Sequence, residues 1–201
     1  MSATLDFFYD LGSPYSYLAS TQLAGIRART GARVRILPIT LGGVRKQLGT
    51  TMPSGAQLHY MSRDVGRWAK KYSVPMSMPK AFPAKVITSL RVCVAADLEG
   101  IGEAAMHALF DAYWGRGEDI GDPAVILAAL DRRKLDGERL LKRTEEDEVK
   151  DGLRANTALA LDRGVFGVPM MFVGERSFWG NDRLEFAEAA LKDAHRQELE
   201  A

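Results

Sequence analysis

Two short stretches hold residue types that could act on a small molecule together. In Ser13-Pro14-Tyr15-Ser16 a serine precedes a proline where a helical pattern begins, which puts the hydroxyl at an N-cap. A helix N-terminus gathers unpaired N–H groups and partial positive charge, so it stabilises an anion placed there. The serine hydroxyl ionises far above neutrality, so it donates a hydrogen bond to an anion rather than becoming one. A thiolate brought in by a small molecule would suit it, although capping alone also accounts for a serine here. In Phe166-Gly167-Val168-Pro169 a proline opens a strand. A cis peptide there would turn the Val168 N–H and C=O outward, where an extended peptide could pair with them.

A third stretch, Trp179-Gly180-Asn181-Asp182-Arg183, leads into the last helix. Asn181 and Asp182 are good helix caps. They also suit an α-amino-acid head, with Asp182 on the ammonium and backbone N–H groups on the carboxylate. A central thiol, an extended backbone and an amino-acid head describe glutathione, and the three stretches together suggest it as the cofactor. No metal ligands are assigned.

The elements that must position these residues follow from periodicity. Leu5–Tyr9 is a β-prone run ending at Asp10-Leu11-Gly12, and from Pro14 apolar residues recur at helical spacing to Gly31. Arg33–Ile39 alternates as a second strand, so the chain opens as a βαβ unit with parallel strands. From Gly42 to Leu161 helical spacing dominates: a helix containing Asp64–Ala69, then 84–98, Gly102–Trp114 and Pro123–Leu130. Gly167–Gly174 is a strand, Glu175-Arg176 a turn, Ser177–Trp179 a returning strand and Arg183 to about His195 the final helix. This βαβ…ββα order is an α/β fold, a thioredoxin-like sheet with a large all-helical insertion. Residues 1–41 and 162–201 form the thioredoxin-like domain and 42–161 the inserted helical domain. In that fold the Ser13 turn occupies the place where a disulfide oxidoreductase carries two cysteines.

Bulk properties narrow the class. The chain has 201 residues, 46% of them hydrophobic, enough for one substantial core. A net charge of +1, with cations spread along the chain, lacks the footprint that nucleic acid requires. No apolar run is long enough to span a bilayer and the N-terminus shows no leader pattern, so no membrane partner and a cytoplasmic location are expected. The single cysteine, Cys93, falls in an apolar helical segment and is expected in the core, which excludes an internal disulfide. The Glu145–Glu148 charge run is expected to be a solvated face beside Val149 and Leu153. Trp68 and Trp114 are assigned to packing between helices.

Asp10–Leu18, Leu41-Gly42-Gly43-Val44, Asp64 with Arg67-Trp68-Ala69, Phe166–Pro169 and Trp179–Leu184 form an ordered set from near one end of the chain to the other. The set resembles the 2-hydroxychromene-2-carboxylate isomerase family, which is similar to the kappa-class glutathione transferases within the DsbA-like thioredoxin group. The resemblance implies a glutathione-dependent isomerase and a homodimer. Its substrate would be a small aromatic compound of naphthalene-type catabolism, interconverted between 2-hydroxychromene-2-carboxylate and trans-o-hydroxybenzylidenepyruvate. It implies that Ser13 activates the sulfur, that Val168 before Pro169 pairs with the peptide backbone, and that Trp179, Gly180, Asn181 and Asp182 bind the γ-glutamyl end. A kappa-like transferase or peroxidase is the alternative, and a non-catalytic thioredoxin-fold binding protein a further one. The chain departs from the family pattern at Gly49–Pro53 and Phe82–Lys85, where relatives carry asparagine. Arg45, Lys46 or Lys85 could bind a substrate carboxylate, and Tyr60 could wall the pocket or pack in the core.

Overall fold

The computed structural model describes the backbone of residues 3–200, with side chains through residue 196. Four strands form one sheet in the order β2-β1-β3-β4: β1 (Thr4–Tyr9), β2 (Arg33–Pro38), β3 (Met170–Val173) and β4 (Arg176–Trp179). β1 and β2 are parallel, Phe7 opposite Ile36, as the βαβ reading requires. β3 runs antiparallel to β1 and pairs with β4 through a hairpin. The returning strand begins one residue earlier than its sequence pattern suggests. Gly174 has a positive φ and makes the turn with Glu175, so Arg176 already pairs with Val173.

The apolar spacing from Tyr17 to Ile26 predicts one helix, but the structure contains two, α1 (Pro14–Ser20) and α2 (Leu23–Thr30). Hydroxyls explain the break. Ser20 Oγ donates to the Tyr17 carbonyl and Thr21 Oγ1 to that of Leu18, competing with the backbone ladder where the chain turns. α1 is therefore seven residues long. Its macrodipole has little length to draw on.

Between β2 and β3 the chain is helical: α3 (Leu41–Leu48), α4 (Ala56–Tyr72), α5 (Ile87–Leu98), α6 (Gly102–Phe110), α7 (Pro123–Asp131), α8 (Gly137–Arg143) and α9 (Asp147–Asp162). α6 continues as a π turn through Asp111–Gly115, and α10 (Leu184–Glu200) follows β4. Phe7, Tyr9, Leu18, Cys93, Phe110 and Trp114 share one apolar core, so one face of the sheet and the helical segments bury the same surface. Phe8, Val44, Val168 and Phe172 form a second cluster on the other face. Trp114 packs between elements as its composition suggests, and its indole also donates to the Leu11 carbonyl at 2.9 Å. Among the described residues no helix is long and apolar enough to cross a membrane.

Candidate active site

β1 ends at Tyr9 and delivers the chain into the turn at Asp10–Ser13, at the C-terminal end of the strand. Ser13 is extended, caps α1 and is buried. Its Oγ accepts from Ser16 N at 3.2 Å and donates to the Val168 carbonyl at 3.3 Å. The second contact is longer than is usual for a hydroxyl donor, so the proton of Ser13 is lightly held. The Val168–Pro169 peptide is cis. The Val168 carbonyl, expected to face outward, is instead turned to Ser13, because the turn and the strand start lie in contact.

The third stretch joins the other two. Gly180 N donates to the Pro169 carbonyl at 2.9 Å, and the φ of 101° at Gly180 needs a residue without a Cβ. Tyr72 at the end of α4 donates from its hydroxyl to the Asn181 carbonyl at 3.0 Å. Trp179 is exposed, and its ring meets Phe166 edge-on at 4.8 Å. Gly167 makes room for it: a Cβ there would come within 2.7 Å of the indole nitrogen. Asn181 is buried, yet its Nδ2 has no hydrogen-bond partner among the described residues. Asp182 accepts from Arg183 at 2.8 Å. Capping therefore does not explain either side chain. A cavity of about 220 Å³ adjoins them, walled by Trp68, Lys71, Tyr72, Asn181, Asp182 and Glu185.

Ser16 Oγ is likewise buried and unpartnered, at the helix position where a Cys-x-x-Cys turn would hold its second sulfur. Tyr15 reaches from the same turn to α4, donating to Asp64 Oδ2 at 3.1 Å. Burial pushes its pKa well up, helped by the Asp64 carboxylate and by Tyr60 and Asp182 nearby. The phenol stays protonated.

The substrate candidates are less closely gathered. Tyr60 is exposed on α4 near Tyr15, so the core-packing alternative is wrong for it. Arg45 lies on α3, half-buried, with its guanidinium on the Met52 sulfur and within electrostatic reach of Asp10. Lys46 and Lys85 are exposed, and Lys85 follows a second cis peptide, Phe82–Pro83. Phe82 packs edge-on against Trp114, and Tyr113 brackets the loop by accepting from Ala84 N and donating to the Ala81 carbonyl. Asp10, absent from the sequence candidates, accepts from Gly12 N and Leu41 N, each at 2.7 Å. Its local half was readable, since Asp-x-Gly is a turn signature. A cleft of about 1000 Å³ opens at the other end of the sheet beside Asp6, Arg33, Arg35 and Arg163. Arg35 and Arg163 both pair with Asp6 there, and none of the candidate residues lines that cleft.

A DSBA-like thioredoxin domain matches residues 4–192. The chain belongs to that family. A 2-hydroxychromene-2-carboxylate isomerase of Sphingobium xenophagum is 35% identical over 199 residues, covering 96% of this chain and 100% of the relative. This places the DsbA-like chain in the isomerase branch, as the resemblance implies. The human glutathione S-transferase kappa 1 is 28% identical over 198 residues, covering 90% of this chain and 88% of the transferase. Among solved structures, a 2-hydroxychromene-2-carboxylate isomerase superposes with a TM-score of 0.85 at 28% identity, covering 98% of each chain.

Proposed function

We propose that this DsbA-like protein is a glutathione-dependent cis-trans isomerase acting on 2-hydroxychromene-2-carboxylate or a related aromatic carboxylate. The observation that carries the cofactor is Asn181: a buried amide donor without a partner among the described residues, on the segment bonded to the cis-proline strand. An orphaned donor is costly unless something fills it, and an amino-acid head does. Glutathione supplies a thiolate able to add reversibly to a conjugated carbon, turning a double bond into a single bond about which the substrate can rotate.

The chain's residues have separable parts in this. Ser13 turns its single proton from the Val168 carbonyl to the sulfur and holds it as the anion. That motion frees the Val168 carbonyl to accept from a peptide N–H. Asn181 and Asp182 take the γ-glutamyl head, and Trp179 covers the backbone between. Arg45 receives the substrate carboxylate.

The kappa relative favours a second reading in which glutathione is consumed. Turnover of 2-hydroxychromene-2-carboxylate with glutathione far below substrate concentration separates the two. Isomerisation to equilibrium at constant total thiol is the expected result. Accumulation of a conjugate would establish the transferase, and turnover independent of glutathione would end both readings.

A further inference from the structure

Asp10 is the only buried carboxylate among the described residues, 6% exposed. Burying a carboxylate is costly unless donors surround it, and here both oxygens are used. Oδ1 accepts from Gly12 N inside the turn and Oδ2 from Leu41 N, the first residue of α3, each at 2.7 Å. The Asp10 carbonyl also accepts from Ser13 N at 3.0 Å. A turn of this kind needs only one side-chain acceptor, which Asn or Ser can supply. Leu41 supplies the second need. The N-cap of α3, Thr40, makes no capping bond with its own side chain, and its Oγ1 lies 3.4 Å from Thr157 Oγ1 instead. Asp10 therefore satisfies the first N–H of α3 from a different element. An amide could not replace it, having one acceptor oxygen for two inward-facing donors.

We propose that Asp10 is a positioning residue that clamps the Ser13 turn to the start of α3, so that the thiol site and Arg45 keep a fixed separation. The proposal rests on the isomerase reading for its catalytic consequence, though not for the clamp itself. Arg45 lies one turn along α3 from Leu41, so loosening that end changes where the guanidinium meets a substrate held at the thiol.

The test uses the full-length protein. In Asp10→Asn, whose one acceptor oxygen still serves Gly12 within the turn, amide exchange at Leu41 is expected to accelerate at least about tenfold while Gly12 and the core amides stay protected. The KM for the aromatic substrate should rise. Arg45→Ala, costing about tenfold in that KM alone, should cost only about twofold in the Asp10→Asn background. Leu41→Pro provides a second route. Proline is favoured at a first helical position and Thr40 before it is already extended, so the α3 arm of the clamp is lost together with the packing of the part-buried leucine, a loss that Leu41→Ala measures by itself. This variant should show the same loss of Arg45 coupling with Gly12 exchange unchanged, and it decides the matter if Asp10→Asn does not fold. Unchanged exchange at Leu41, or independent multiplication of the Arg45 and Asp10 effects, overturns the proposal. If the wild-type chain does not isomerise, the function is wrong, and the exchange rates still decide whether Asp10 clamps the two elements.

Discussion

Ser13 Oγ lies 3.3 Å from the carbonyl oxygen of Val168, a contact that joins positions 155 residues apart in the chain. It brings the serine turn to the start of β3, and the Pro169–Gly180 bond extends the connection to Asn181. Its length leaves the hydroxyl easy to redirect. A site of this kind separates residues that hold the fold from residues kept available for a ligand, and the following outcomes depend on that separation.

Asn181→Leu should lower glutathione affinity by about tenfold, the worth of one good hydrogen bond. Thermal stability should change by less than about 1 kcal/mol or rise, because replacing a buried donor that lacks a partner removes a penalty. Calorimetric titration and a melting curve on the same variant check both. Loss of stability with intact binding would place Asn181 in the scaffold.

Gly167→Ala puts a Cβ where only 2.7 Å separates it from the Trp179 indole nitrogen. The indole must move, at a cost of about 1–3 kcal/mol or with weaker glutathione binding. Tryptophan fluorescence of the variant should shift, and adding Trp179→Ala should restore stability by removing the clash. Gly174 is a different case, since its positive φ and open surroundings make alanine there a backbone effect.

Much of this arrangement was readable before the fold was known. Ser13 before Pro14 announces an N-cap through local chemistry alone, and the parallel β1–β2 pair follows from alternation separated by a helical pattern. The break at Thr21 was hidden because Leu18 and Ile26, eight residues apart, keep helical spacing across it, while the hydroxyls that end α1 leave no mark on hydrophobic periodicity. Asp10 showed its Gly12 half in the Asp-x-Gly pattern, but its bond to Leu41 depends on where α3 docks. Tyr60 had the composition of a core residue and proved exposed, because α4 turns Val65 and Ala69 inward instead. The orphaned Nδ2 of Asn181 is a property of packing, and no residue pattern encodes it.

Cys93 should be silent in the native protein. Burial pushes its thiol up to about 12, and the Tyr9 hydroxyl beside it only partly offsets this. Near neutral pH a thiol-specific reagent should modify the folded chain at least about 100-fold more slowly than the denatured chain. Rapid native labelling would contradict the packing of α5.

His107, 3.7 Å from Glu103 on α6, and Arg27 on α2, which donates to it at 2.6 Å, hold the Glu103 carboxyl down to about 2 against partial burial. A depressed acid stabilises the fold fully above its unfolded value of 4.5, and the contribution fades as pH falls toward 2. Glu103→Gln should therefore be less stable than the wild type near neutrality, by no more than about 1 kcal/mol because the pair is partly exposed. The gap should close on acidification. Urea melts at several pH values check it, and a gap that widens in acid would reverse the assignment.

The most direct test of the central claim follows the ultraviolet absorbance of the bound thiolate against pH, with glutathione saturating the wild-type chain and Ser13→Ala. If the Ser13 hydroxyl holds a borrowed thiolate, removing it should raise the pKa of the bound thiol by about one to two units and lower isomerase turnover at neutral pH in proportion. A thiol that titrates at the same pH in both proteins, with turnover unchanged, would contradict the account.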